Sequence, residues 1–129
     1  MGFLQSLVGN ASSVSVEDVT REWGSILAKD EKIEVAYKLV RDYIIFTKNR
    51  LILIDVQGIT GKKIEIKSVP FRSIVAFSVE TAGVLDLNAE LSIWVASTPF
   101  AIKKTFNKDV NIYEVQAVLA DAIAFDKNN

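Results

Sequence analysis

The sequence predicts an α+β, mainly β domain: seven short antiparallel strands bent into a barrel or sandwich, capped by a C-terminal helix and preceded by a helical hairpin. Three observations lead there. Between residues 33 and 106 apolar side chains recur at every second position in short runs bounded by turn residues, the period of half-buried strands. Nothing of helical length separates those runs, so parallel crossovers have no material and the strands must pair antiparallel. The period then becomes helical at the C-terminus, and one amphipathic helix is an economical plug for the open end of a bent sheet.

The elements follow in order. Phe3, Leu4, Leu7 and Val8 share a helical face over residues 2–9, and Gly9-Asn10 can stop that helix. Ser15 with Asp18 has the shape of a capping box, and Val16, Val19, Trp23, Ile26 and Leu27 then repeat at helical spacing to Lys29-Asp30. Residues 1–30 therefore read as the helical hairpin and 31–129 as the domain proper, with no linker between. Strand-like runs follow at Ile33 to Leu39, Tyr43 to Thr47 and Leu51 to Val56, the last two joined as a hairpin by Lys48-Asn49-Arg50. After the glycine turn Gly58 to Gly61 come Ile64 to Pro70, Ser73 to Val79, Leu91 to Ala96 and Phe100 to Phe106. Asn111 caps the last helix with Glu114 three residues on, and Ile112, Val115, Leu119 and Ile123 form its apolar stripe.

Composition narrows the chemistry. A chain of 129 residues has room for one ordinary core, and 50% hydrophobic with 24% charged residues is the balance of a globular domain. The net charge of -1 gives no molecule-wide attraction to nucleic acid, and no basic stripe with interleaved aromatics is present. Neither cysteine nor histidine occurs, which removes disulfides, thiolate nucleophiles, imidazole bases and the two commonest zinc ligands. No run of 18 apolar residues and no signal peptide is present, so the expected setting is cytoplasmic. Met1-Gly2 with Ser6 fits a myristoylation pattern, but one so short that chance matches are common.

The stretch Arg41 to Lys63, followed by Ser68-Val69-Pro70-Phe71, Ser73-Ile74, and Phe77 to Gly83 with Asp86, resembles the bacterial pleckstrin-homology (PH) domain family. The segment Lys108 to Glu114 fits the opening of that family's C-terminal helix, and the resemblance covers about residues 31 to 124. It implies a PH-like fold, a non-enzymatic cytoplasmic module without cofactor, and a tendency to assemble into ring-shaped homo-oligomers. It implies no particular ligand, and fold alone does not assign one.

The candidate sites are few. Gly58 to Lys63 lacks the spacing and the following helix of a phosphate loop, and reads as a hairpin turn. No hydrolase triad can be drawn without histidine, a Ser-Lys dyad would need a proximity that the sequence does not show, scattered carboxylates such as Asp86 and Glu90 read as solvated or turn residues, and no metal site is expected. Lys48 and Arg50 at one turn and Lys62 and Lys63 at the next would form a cationic patch for an anionic lipid head group if those turns converge; ordinary solvated charges are the plainer reading. The connection at Arg41-Asp42 is too short and too acidic for the basic loop of eukaryotic lipid-binding PH domains. Ile44 to Phe46 and Leu51 to Ile54 are apolar on both faces, whereas a barrel wall has one inner face. Either the chain's own N-terminal hairpin or a second subunit must cover the outside. Phe3, Leu4, Leu7, Trp23, Ile45, Ile52 and Ile54 are thus the candidate homo-oligomer interface, with the free strand edges and the groove beside the last helix as peptide sites.

Overall fold

A computed structural model describes residues 13–81 and 88–127 of the chain, so the helix expected at 2–9 and its Phe3, Leu4 and Leu7 lie outside the described residues. Two compact units are present, Met1–Ser68 and Val69–Asn129.

The first unit opens with helix α1 (Val16–Trp23), continued by a 3-10 turn at Gly24–Ile26. Ser15 caps α1 by accepting a hydrogen bond from the Asp18 N–H at 3.2 Å, as its sequence position predicts. The helix is shorter than the expected run to Lys29-Asp30. Gly24 is a poor helix former, the chain tightens to 3-10 there, and Asp30 then takes a left-handed φ of 66° that closes the connection.

Strands β1 (Val35–Lys38), β2 (Tyr43–Phe46), β3 (Arg50–Gln57) and β4 (Lys63–Pro70) form a sheet in the order β1-β2-β3-β4. The β2–β3 hairpin pairs Ile45 with Ile52 and Phe46 with Leu51, so Ile44, Phe46, Leu51 and Leu53 share one face and Ile45, Ile52 and Ile54 the other. All seven are buried. The second face is the floor under α1: Val19 packs there with Ala36, Tyr43, Ile45, Ile52 and Ile54, flanked by Val14, Trp23, Ile26 and Leu27. The chain's own helix therefore covers the face that the sequence left in need of a lid. Gly58 and Gly61 both have positive φ, 76° and 72°, in the β3–β4 turn, where residues with side chains are strained.

The second unit holds a 3-10 turn (Phe71–Ser73), β5 (Ile74–Glu80), β6 (Ala89–Val95), β7 (Ile102–Phe106) and helix α2 (Ile112–Lys127). The three strands are antiparallel in the order β5-β6-β7, and α2 packs on the 3-10 turn, β5 and β6. Phe71, Leu91, Ile93, Phe106, Val115, Val118 and Leu119 are buried. Asn111 caps α2 as expected, its Oδ1 accepting from the Tyr113 N–H at 3.0 Å. Strand β7 begins two residues later than Phe100, because Thr98 N–H bonds the Val95 carbonyl and Ser97 takes a φ of 65°, leaving Phe100 83% exposed in the turn. Among the described residues the fold is thus seven strands in two antiparallel sheets, with one helix before them and one after.

Candidate functional site

The most densely bonded polar group lies at the β2–β3 turn. The Arg50 guanidinium grips Glu31 through Nε to Oε2 at 2.9 Å and Nη2 to Oε1 at 2.7 Å, a two-pronged charge-assisted contact. It also donates to the Ile26 carbonyl at 3.2 Å and the Ser68 hydroxyl at 2.6 Å. Glu31 accepts in addition from the Thr47 hydroxyl at 2.8 Å and the Ala28 N–H at 2.9 Å. The Arg50 hydrogen bond is the main reason the Glu31 carboxyl is lowered from 4.5 to about 2, against the opposing effect of burial; the same bond raises the Arg50 guanidinium. These are the contacts of a strut tying the segment after α1 to the hairpin. Of the four cations expected to hold an anion, Arg50 has its donors committed within the protein.

Beside it, Asp30, Glu31, Lys32, Glu34, Lys48 and Asn49 line a cleft of about 320 Å³. Its charges are mixed, one Glu34 oxygen is buried without a hydrogen-bond partner, and no group of acids in the described residues can hold a metal ion.

Lys62 and Lys63 are exposed, but they do not join Lys48. Successive hairpin turns fall at opposite ends of the strand between them, and the eight residues of β3 separate these two by on the order of 20 Å. The expected four-residue patch is therefore not assembled. What lies with Lys62 and Lys63 is the β1–β2 turn: Arg41 Nη2 donates to the Gly58 carbonyl at 2.6 Å, and Asp42 Oδ1 accepts from Val56 N–H at 2.8 Å. Each of these two bound turns carries an exposed apolar residue, Val40 at 82% and Ile59 at 103%.

Among the candidate interface residues, Ile45, Ile52 and Ile54 are fully buried within the chain's own first unit. Trp23 meets the Tyr43 ring edge-on at 5.8 Å, and the Tyr43 hydroxyl donates to Glu22 at 3.0 Å, which fixes α1 over the floor. The exposed apolar surface of this sheet is elsewhere, on β4. It is an outer strand, its residues from Lys63 to Ser68 are all exposed, and Ile64 and Ile66 remain 43% and 42% accessible. Their alternation with Glu65 and Lys67 is legible in the sequence, but only the strand order shows that β4 is an edge. In the second unit Trp94 is 41% exposed on β6, and Lys103 and Lys104 oppose successive β6 residues, Ser92 and Leu91, and so face opposite ways.

Comparison with known proteins agrees with this architecture. The family model described as "Bacterial PH domain" matches residues 2–123. The uncharacterized protein YjqA of Bacillus subtilis strain 168 is 54% identical over 121 residues, 93% of this chain and 97% of its own. The uncharacterized protein YozO of the same organism is 35% identical over 107 residues, 83% of this chain and 91% of its own. Among solved structures, a pleckstrin homology domain from Shewanella amazonensis SB2B superposes with a TM-score of 0.79 at 42% identity, covering 95% of this chain and 98% of that one. A DUF1696 family protein with a pleckstrin-homology domain from Shewanella loihica PV-4 gives 0.76 at 39% identity, covering 89% and 98%. Two antiparallel sheets, a closing helix and a match running almost end to end place the chain in the bacterial PH domain family.

Proposed function

We propose that this chain is a non-catalytic cytoplasmic PH-like module that works by self-association, as a scaffold or protein-binding unit whose active surface is shared between copies. The observation that carries the reading is β4: an outer strand exposed from Lys63 to Ser68, with Ile64 and Ile66 on one side. An open edge with an apolar stripe is a template for another strand. A sequence without histidine or cysteine lacks the imidazole base and the thiolate nucleophile, and no carboxylate, lysine or serine set stands out as catalytic in their place. The resemblance to bacterial PH domains favours a ring as the assembled form. Light scattering coupled to size exclusion tests the reading: a mass that is a multiple of 14.3 kDa across concentration and salt supports it, and a monomer throughout refutes it.

A second reading, binding to an anionic membrane surface, is favoured by the paired turns. Val40 and Ile59 are exposed on two turns that the Arg41 bond to the Gly58 carbonyl joins, and Lys62 and Lys63 follow in the second turn, an apolar and cationic combination of the kind that docks on acidic lipid. Vesicle binding that rises with phosphatidylserine content, falls with salt and disappears in Val40→Asp/Ile59→Asp supports it. Binding that the double substitution leaves unchanged excludes it.

A further inference from the structure

We propose that the cleft beside the Arg50–Glu31 strut binds a small zwitterion, a free α-amino acid, with its ammonium on Glu34 and its carboxylate on Lys32 and Lys48. The site lies wholly within the first unit and does not depend on how copies of the chain associate.

The strut has used up its own polar groups. Glu31 Oε1 accepts from Arg50 Nη2 and the Ala28 N–H, and Oε2 from Arg50 Nε and the Thr47 hydroxyl, so Glu31 has little left for a ligand. The rest of the lining is different: among the described residues the side chains of Asp30, Lys32, Glu34, Lys48 and Asn49 make no hydrogen bond or ion pair. Glu34 is the most demanding of them. Its Oε1 is shut off from solvent without a donor, and a carboxylate stripped of part of its hydration gains more from an arriving cation than one in open water. The two lysines of the cleft form no ion pair with it. The walls are set before any ligand arrives, because the Glu34 N–H bonds the Phe46 carbonyl at 2.8 Å, the Asn49 N–H bonds the Thr47 hydroxyl at 3.3 Å, and Arg50 clamps Glu31.

Charge and size select the ligand. With Glu31 neutralised by Arg50, Asp30 and Glu34 are balanced by Lys32 and Lys48, so the cleft has no net charge to draw a simple cation or a simple anion. A molecule with one charge of each sign satisfies both halves, and a primary ammonium brings the donors that Glu34 lacks. A cleft of about 320 Å³ is at the small end of ligand sites, which suits an amino acid and not a large cofactor, and its wholly polar lining disfavours apolar molecules.

Isothermal titration calorimetry of the full chain against each natural L-α-amino acid tests the site, with each binder's decarboxylated amine and deaminated acid as paired controls. The expected result is saturable binding of at least one amino acid, weakened about tenfold or more in Glu34→Gln and in Lys32→Ala/Lys48→Ala, and unchanged in Lys63→Ala at the far end of β3. The amine and the acid should each bind about tenfold or more weaker than the zwitterion. In the wild-type chain, where no substitution can disturb folding, the bound amino acid should move the amide NMR shifts of residues 30–34 and 48–49. Four results overturn the proposal: no saturable binding up to about 10 mM, binding that Glu34→Gln leaves unchanged, shifts confined to other residues, or an amine that binds as tightly as its parent amino acid.

Discussion

Replacing Glu31 by Gln isolates the strut between the segment after α1 and the β2–β3 hairpin. The carboxylate side chain is 6% accessible and the guanidinium 23%, so the pair is shielded on one side and partly wet on the other. Lowering Glu31 from 4.5 to about 2 corresponds to an upper bound of about 3 kcal/mol of native-state stabilisation, and the solvent reaching Arg50 reduces this to about 2 kcal/mol. An amide in place of the carboxylate would turn an NH2 group toward the guanidinium or lose one of its two prongs. The sign is fixed by the direction: a carboxyl depressed in the fold stabilises above its unfolded value near 4.5, and that contribution drains as pH falls toward about 2. Urea unfolding followed by circular dichroism should therefore show Glu31→Gln destabilised by about 2 kcal/mol at pH 7, a midpoint shift on the order of 1 M. The gap to wild type should shrink steadily between about pH 5 and pH 2. Equal stability at pH 7, or a gap that does not change with pH, would refute the strut.

Three other substitutions check the packing and the backbone. Ile52→Ala empties the floor beneath α1 at a fully buried site and should cost about 2–5 kcal/mol in the same urea assay. Gly61→Ala forces a side chain into a φ of 72° with its Cβ 3.2 Å from Arg41 Nη2, and should lower stability by about 1–2 kcal/mol. Asn111→Ala removes the α2 cap and should cost about 1 kcal/mol, read as a lower thermal midpoint; an unchanged midpoint would show the cap to be idle.

The strands are legible in the sequence because their apolar residues alternate and their turns carry Gly, Asn and Asp. Their ends are not, since Leu39 N–H bonding the Asp42 carbonyl and Thr98 N–H bonding the Val95 carbonyl set turn boundaries that no pattern of apolar residues encodes. The two-sided apolar run at residues 44–54 correctly announces a lid, and α1 supplies it. Arg50 is legible as a cation but not as a committed one: its partner Glu31 is 19 residues away in sequence, and only the fold brings them together. The four-residue cationic patch does not form for a topological reason, because neighbouring turns of a meander point to opposite ends of the sheet. The exposed pair Val40 and Ile59 gives no sequence signal, since Val40 simply continues the apolar run after Leu39 and Ile59 is a lone apolar residue in a polar turn, and the bond from Arg41 to Gly58 that groups them is a side-chain contact.

The bond from Val14 to Ala36 has a consequence for growth. A sheet bare at both edges can recruit neighbours without limit, which is how fibrils elongate. Among the described residues, β1 is not a bare edge: its Ala36 carbonyl is already bonded by the segment leading into α1. A strand arriving at β1 would first have to displace the Val14 bond, so the chain itself opposes growth of this sheet from that side.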